Sequence, residues 1–163
     1  MSTEQNLHDA FAGEAKAAVR LTVFARKAQE EEYEGIAKLF RAISASESVH
    51  AGNNLRLLKE IKDTETNLRE SLGSEEKIAA VGYTKFVAEA EEEGKDAAAT
   101  MFAYARDVED RHAKLYDQAL QHLVTDEVPD YFVCGVCGYV ADTFKPDNCP
   151  ICGAPAEQFF DVT

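Results

Sequence analysis

The sequence predicts an all-α four-helix bundle followed by a small C-terminal metal-binding β domain, and three observations lead to that fold class. Residues 4–124 are rich in alanine, glutamate, lysine and leucine and contain no proline, as a set of long helices requires. The motif Glu-x-x-His occurs twice inside this region. All four cysteines lie beyond residue 133. The helical region and the cysteine-rich region are therefore expected to form separate domains.

Glycine residues indicate where the helices end. Candidate breaks fall near Gly35, at Gly73 and at Gly94, and glycine is a common residue just past a helix C-terminus. Four long helices joined by short connections are typical of a bundle. The predicted helices are 4–32, 36–63, 74–93 and 95–124.

The two halves of the helical region resemble each other, which indicates a duplicated helical hairpin. Three residues of the first half recur at an offset of 62, and one recurs at an offset of 61. The pairs are Phe40 and Phe102, Glu47 and Glu109, His50 and His112, and, at the shorter offset, Glu14 and Glu75. Apolar residues at helical spacing predict one inward face on the second helix and one on the fourth. These residues are Ile36, Leu39, Phe40 and Ile43, and Ala98, Met101, Phe102 and Ala105.

The repeated polar residues predict a metal site inside the bundle. In Glu-x-x-His the carboxylate and the imidazole are one helical turn apart, so both side chains project from the same face. Buried carboxylates are costly unless a cation compensates them, and two divalent ions balance four glutamates. Di-iron and di-manganese bundles use a recurring ligand set. Two helices contribute one glutamate each, and the other two contribute one Glu-x-x-His motif each. Such ligands favour iron or manganese without excluding zinc. The predicted ligands are Glu14, Glu47, His50, Glu75, Glu109 and His112.

Other histidines and acidic runs are interpreted as surface features. His8 and His122 lie near predicted helix ends and outside the repeat. The acidic runs at 30–32 and 91–93 are expected to be solvated faces.

Composition and charge narrow the class of protein. The chain has 163 residues, 45% of them hydrophobic, which is enough for one ordinary core and a small appendage. Its formal net charge of −13 argues against nucleic acid as a partner, because phosphate binding depends on clustered lysine and arginine. The N-terminal residues lack a basic segment followed by an apolar one, and no long apolar run predicts a membrane span. We therefore expect a cytoplasmic protein without a membrane partner.

The C-terminal region is expected to fold around one metal ion. Its cysteines form two Cys-x-x-Cys pairs, a spacing that presents four thiolates to one tetrahedral ion. The glycine after each pair allows backbone N–H groups to point at the sulfurs. The spacing suits zinc, which would make the domain structural, and iron, which would make it a one-electron carrier, about equally. The ligands are Cys134, Cys137, Cys149 and Cys152. We expect a helical domain at 1–124, a linker at 125–130 and the metal-binding domain at 131–163.

Taken together, these motifs resemble the rubrerythrin family. The similarity includes Ala10-Phe-Ala-Gly-Glu14, both Glu-x-x-His motifs, Asn67-Leu68 leading to Glu75, and the terminal CGVCGY and CPICGAP segments. It covers nearly the whole chain, as a ferritin-like bundle followed by a rubredoxin-like domain. The resemblance implies a non-haem di-iron enzyme of oxidative-stress defence. It implies two iron ions in the bundle and one in the cysteine site, where zinc is an alternative occupant.

The resemblance also implies an activity and partners. Such an enzyme reduces hydrogen peroxide to water with electrons from an external donor protein, relayed through the cysteine-bound iron. It is usually a homodimer that brings the rubredoxin-like site of one subunit near the di-iron site of the other. Tyr83 is expected to lie beside the metal ligands as a hydrogen-bond donor.

Two positions depart from the family pattern. A further carboxylate is expected three residues after Glu75, where this chain has Ile78, and a tyrosine is expected seven residues after Glu14, where it has Leu21. The family carboxylate exchanges with a histidine on reduction, so its absence implies that His50 stays bound. Oxygen reduction or iron oxidation is therefore an alternative activity. A zinc-loaded, non-redox binding module is a third hypothesis, which the colour of the protein distinguishes because rubredoxin-type ferric iron is red.

Overall fold

A computed structural model describes residues 2–123, 125 and 129–162 and contains long helices followed by a small sheet. The helices are α1 (Thr3–Glu30), α2 (Glu34–Leu58), α3 (Thr64–Lys77), α4 (Thr84–Glu92) and α5 (Asp96–Gln121), with a π-helical segment at Ile78–Tyr83 between α3 and α4. The strands are β1 (Tyr131–Cys134), β2 (Val140–Asp142) and β3 (Phe159–Val162), with a short 3-10 helix at Ala156–Gln158. The helices and the sheet form two compact units, residues 1–62 and 63–163.

The first unit is the antiparallel hairpin of α1 and α2. Small side chains line the contact between the two helices, which lets their backbones approach closely. The buried residues are Ala18, Ala25, Ala28, Ala37, Ser44 and Ala51. The Ser44 hydroxyl donates a hydrogen bond to the Ala18 carbonyl at 2.8 Å, which satisfies the one buried polar side chain among the described residues. The predicted first hairpin is confirmed.

The connection between the first and second hairpins lies earlier than the sequence predicts. The predicted break at Gly73 is wrong, because α3 begins at Thr64 and continues through Gly73. A single glycine costs a helix only about 1 kcal/mol, so neighbouring turns carry the helix through it. The actual signals are at Lys59, whose φ of 59° ends α2, and at Asp63, whose carboxylate accepts from the Thr66 N–H at 2.9 Å.

The other predicted breaks agree with the structure. Gly94 has a φ of 65° and follows α4, as expected for a glycine at a helix C-terminus. α1 ends at Glu30, and Glu32, with a φ of 63°, lies in the turn before Gly35, which is in the first turn of α2. The predicted domain boundary and linker lie partly outside the described residues, since Val124 and residues 126–128 are not described. Those domain limits stay a prediction.

The C-terminal sheet is three-stranded and antiparallel, in the order β2-β1-β3. Val133 pairs with Val140 on one side and with Phe160 on the other. The core beneath it is very small, as expected for a domain that relies on metal binding. It consists of Cys134, Ala141, Cys149, Ala154 and Phe159.

Among the described residues, no helix combines the length and the apolar character needed to cross a membrane.

Candidate metal centres

The α1–α2 hairpin brings together the first three predicted ligands. Ligand atoms of Glu14, Glu47 and His50 all lie within 4.8 Å of one another. His50 Nδ1 is 3.0 Å from Glu47 Oε2 and 4.0 Å from Glu14 Oε1. Because Glu47 and His50 are one turn apart on α2, the helix itself sets their spacing. We call this group the first triad.

The carboxylates of the first triad interact strongly. A hydrogen bond with Glu47 raises the pKa of Glu14, with burial and the Glu47 charge acting in the same direction. The same hydrogen bond and one from His50 lower the pKa of Glu47. Two carboxyl groups this close disfavour each other's ionisation, because like charges repel. A divalent ion would satisfy both groups.

The second hairpin builds an equivalent second triad. Ligand atoms of Glu75, Glu109 and His112 also lie within 4.8 Å of one another. His112 Nδ1 is 2.8 Å from Glu109 Oε2, while its Nε2 is buried and has no hydrogen-bond partner. Burial raises the pKa of Glu75, and the charge of Glu109 raises it further. The second triad therefore concentrates half-buried negative charge that a cation would compensate.

The donor set of both triads fits iron. Each triad offers two carboxylates and one imidazole, and two divalent ions would neutralise the four carboxylates of the pair. The half-buried carboxylate of Glu75, with its raised pKa, and the buried, unpartnered Nε2 of His112 show a site whose polar groups are not satisfied by protein alone. The chain thus carries the residues of a di-iron carboxylate site. That all six ligate one such site stays a prediction.

A π-helical turn beside the second triad was missed in the sequence. It covers Ile78–Tyr83, and the Thr84 hydroxyl donates to the Ala79 carbonyl five residues earlier at 3.2 Å. Such turns are frequently found at functional sites. The signal was present in the repeat, because the offset changes from 61 at Glu14 and Glu75 to 62 further along. The π turn accommodates that one extra residue.

Tyr83 lies at the end of the π turn, near the second triad. Burial raises the pKa of its phenol, and the charges of Glu109 and Glu75 raise it further. Its ring packs against Phe86 and Phe102 at centroid distances of 5.8 and 6.3 Å. The phenol therefore remains protonated at neutral pH. Its aromatic neighbours hold the ring near the carboxylates of the second triad.

The four cysteines form a compact cluster in the C-terminal domain. All four are free thiols, and their sulfurs lie within 4.8 Å of one another. Cys134 Sγ is 3.7 Å from Cys152 Sγ, and Cys137 Sγ is 3.5 Å from Cys149 Sγ. A tetrahedral ion with metal–sulfur bonds of about 2.3 Å separates its sulfurs by about 3.8 Å. The cluster fits one tetrahedral metal ion.

Backbone N–H groups point at these sulfurs, as the glycine pattern predicts. Burial disfavours the Cys134 thiolate, but hydrogen bonds from the N–H groups of Cys137 and Val136 bring its pKa below the usual value. Burial raises the pKa of Cys137 and of Cys152. A bound cation would stabilise four thiolates this close together, so the cluster suits a metal ion. Gly138 and Gly153, with φ values of 84° and 74°, follow the second cysteine of each pair.

The cysteine domain packs on α5 within the unit 63–163. Arg111 Nε donates to the Val140 carbonyl at 3.1 Å, and its terminal nitrogen is 2.5 Å from Asp142 Oδ1. The Arg111 guanidinium also lies over the Tyr139 ring, 5.9 Å from the centroid. Gly138 faces the buried side chain of Val108, the residue before Glu109. Arg111 had no distinguishing sequence signal except its place beside His112.

The residues predicted to be surface features are exposed. His8 Nδ1 is 3.5 Å from Glu60 Oε1, and both side chains are close to half exposed. His122 is exposed, as are both acidic runs. Within the first run, Glu31 pairs with Lys27 at 3.2 Å. In these residues the structure agrees with the surface interpretation.

Comparison with known proteins identifies the family. Residues 5–120 match the family model described as rubrerythrin. Residues 132–160 match the model described as the rubredoxin-like domain of rubrerythrin. The two matches include all ten predicted metal ligands.

Individual relatives agree with the family models. The chain is 31% identical to nigerythrin of Nitratidesulfovibrio vulgaris over 172 residues, covering 97% of this chain and 85% of that protein. It is 34% identical to rubrerythrin of Porphyromonas gingivalis over 178 residues, covering 96% and 88%. Among solved structures, fully reduced, all-ferrous nigerythrin matches with a TM-score of 0.61 and 31% identity, covering 99% of this chain and 87% of that chain.

Proposed function

We propose that this chain, which belongs to the rubrerythrin family, reduces hydrogen peroxide to water at its di-iron site. Family membership makes it a di-iron oxidoreductase with a rubredoxin-like domain. One observation supports the peroxidase proposal most directly. The same chain holds two carboxylate–histidine triads, suited to a pair of irons, and a four-cysteine cluster suited to a single iron.

The two kinds of site have different roles in this proposal. Iron held by the triads would supply the two electrons that peroxide needs, in the overall reaction H2O2 + 2H⁺ + 2e⁻ → 2H2O. In this proposal the carboxylates of Glu47 and Glu109, together with those of Glu14 and Glu75, would hold the metal ions and balance their positive charge. His50 and His112 each contribute one nitrogen ligand.

The surrounding residues supply protons and electrons. Tyr83 keeps its proton at neutral pH, because burial and two nearby carboxylates disfavour the phenolate. In the proposed reaction its O–H donates a hydrogen bond to bound oxidant. Electrons from an external donor protein enter at the four-cysteine cluster, where Cys137 and Cys152 are partly exposed and Val136 is 47% exposed. The working form in this proposal is a homodimer.

The test compares oxidants on anaerobically reduced protein. We expect peroxide to reoxidise the carboxylate-bound iron much faster than oxygen does. The matched control is Cys149→Ser, which should leave this single oxidation intact while abolishing re-reduction by a donor protein. A rate with oxygen equal to or above the rate with peroxide would contradict a peroxidase.

Ile78 favours a second candidate, an oxygen-reducing ferroxidase. The residue stands where the family resemblance expects a further carboxylate, and it begins the π turn three residues after Glu75. An apolar side chain here offers no exchangeable ligand. This alternative predicts multiple turnovers of added Fe(II) with oxygen. It further predicts that Ile78→Glu shifts the preference toward peroxide, whereas Ile78→Leu does not.

A further inference from the structure

We propose that Thr84 and Gly82 are positioning residues for Tyr83. Together they hold the π turn at Ile78–Tyr83, and this turn keeps the tyrosine on the ligand-bearing face of its helix. Neither residue needs to touch metal or oxidant for this role. The inference rests on the proposed function, in which the Tyr83 O–H donates to bound oxidant, and it identifies the residues that aim this group.

The spacing between Glu75 and Tyr83 does not suit a regular α-helix. Tyr83 follows Glu75 by eight residues, and at about 3.6 residues per turn this spacing rotates a side chain about 80° past the starting face. A spacing of seven residues would end only about 20° short of that face. A π turn, which bonds residue i to residue i+5, takes up one extra residue. The π turn therefore returns Tyr83 to the face that carries Glu75.

The surroundings of Tyr83 agree with this placement. Burial raises the pKa of its phenol, and the charges of Glu109 and Glu75 raise it further, so the phenol lies on the carboxylate side of the helix. Its ring packs on Phe86 and Phe102, which also pack on each other with centroids 5.6 Å apart. Rotating the chain beyond the π turn would break these contacts. The residues that hold the turn therefore also hold the phenol.

The first hairpin contains the same stretch without the extra residue. There the Thr22 hydroxyl donates to the Ala18 carbonyl, four residues earlier, at 3.1 Å. The repeat relates Thr22 to Thr84 at the offset of 62, and Ala18 to Ala79 at the offset of 61. The Thr84 hydroxyl donates to the Ala79 carbonyl, five residues earlier, at 3.2 Å. The same hydroxyl–carbonyl bond thus spans the one residue that the π turn takes up.

Thr84 closes the end of the π turn with two hydrogen bonds. Its backbone N–H donates to the Val81 carbonyl, and its hydroxyl donates to the Ala79 carbonyl. Ala79 is buried, so its carbonyl depends on partners within the protein. Without the hydroxyl, the turn loses a bond that spans its full width. We expect the stretch then to shift toward ordinary α-helical bonding, which turns Tyr83 away from Glu75.

Gly82 supplies space that the π turn needs. A Cβ atom at this position would overlap Ile78 Cδ1 and would lie 3.3 Å from Ile78 Cγ1. The Ile78 side chain therefore lies over residue 82, and a larger residue there would displace it. Alanine would also favour a regular helix, because alanine has the highest helix propensity. Gly82→Ala should thus weaken the π turn, as loss of the Thr84 hydroxyl does.

Paramagnetic broadening of the Tyr83 ring signal by Mn²⁺ tests the proposal. Full-length protein carries zinc in the four-cysteine cluster, and Mn²⁺ is titrated into the carboxylate triads, whose ligands suit it. EPR measures bound Mn²⁺, and Tyr83→Phe assigns the ring resonance among the six tyrosines. Bound Mn²⁺ should remove most of this signal in the wild-type protein. The signal should recover in Thr84→Val, whereas Thr84→Ser, which keeps the hydroxyl, should match the wild type.

The matched control is Thr100→Val, because the Thr100 hydroxyl donates to the Asp96 carbonyl at 2.9 Å in an ordinary turn of α5. It should leave the broadening unchanged. Gly82→Ala should recover the Tyr83 signal, and the further substitution Ile78→Ala, which removes the overlap, should restore the broadening. Circular dichroism confirms that each variant is folded, and the Gly82 pair decides the same question if Thr84→Val fails to fold.

Equal broadening in Thr84→Val and the wild type, or recovery of the signal in Thr84→Ser, would overturn the role of the hydroxyl. Unchanged broadening in Gly82→Ala would overturn the role of the glycine. Mn²⁺ that binds to the wild-type protein without broadening Tyr83 would overturn this inference alone. Failure of Mn²⁺ to bind would instead overturn the carboxylate metal site, and the proposed function with it.

Discussion

Arg111 is predicted to hold the cysteine domain against the helix that carries Glu109 and His112. Its side chain makes three contacts across this boundary, to the Val140 carbonyl, the Asp142 carboxylate and the Tyr139 ring. The Arg111→Ala substitution removes all three. It should leave both domains folded, because each contact joins them rather than lying within either one.

The expected size of the effect follows from the burial of the pair. A hydrogen bond involving a charged group contributes about 1.5–3 kcal/mol. The Arg111 and Asp142 side chains are 18% and 34% exposed, so water screens the pair in part and the lower half of that range applies. A loss of about 1.5–2 kcal/mol reduces the equilibrium constant for docking of the cysteine domain on α5 by about 10–30-fold. Arg111→Lys should lose less, since lysine keeps the charge but not the planar fork.

Methyl NMR of zinc-loaded protein measures this docking directly. Val108 is 3% exposed and faces Gly138, so its methyl resonances should shift when the domain separates. The matched control is Arg106→Ala on the same helix, because Arg106 bonds to its neighbour Asp107. Identical Val108 resonances in both variants would refute the role of Arg111.

Four further substitutions test the sites and the hairpin. Glu47→Ala should remove about two irons per chain and Cys149→Ser about one, as measured by metal analysis; loss of all metal in either variant would contradict two independent centres. Glu75→Gln should raise the melting temperature of the metal-free protein at pH 7 while abolishing iron binding. The raised pKa of Glu75 means that its ionised form opposes folding, so the wild-type protein loses stability as pH rises through that pKa. The difference in melting temperature between variant and wild type should therefore vanish in acid below the ordinary glutamate range. Ser44→Leu should destabilise the protein by about 1–3 kcal/mol in urea by overpacking the close α1–α2 contact, whereas Ser46→Leu on the exposed face should have little effect.

Much of the site was predictable because helical spacing fixes local geometry. Glu-x-x-His places both groups on one face whatever the tertiary structure, and the structure groups each pair with the expected glutamate. The cysteine pairs were equally predictable, since four clustered thiols have few uses other than metal binding.

Three features were not predicted from the sequence: the continuous helix through Gly73, the π turn and the Arg111 contacts. Gly73 was interpreted as a break, but the cap at Asp63 and the residues around Gly73 favour a continuous helix. The sequence signal for the π turn was a change of one residue in the repeat offset. The Arg111 contacts join residues about 30 positions apart, and no local pattern specifies such a contact.

The most direct test of the account is the iron content and ligand type of anaerobically purified wild-type protein. Metal analysis with Mössbauer spectroscopy should find about three irons per chain, two with oxygen and nitrogen ligands and one with four sulfurs. Iron in the sulfur site alone, with the triads empty after anaerobic loading with Fe(II), would contradict the di-iron assignment.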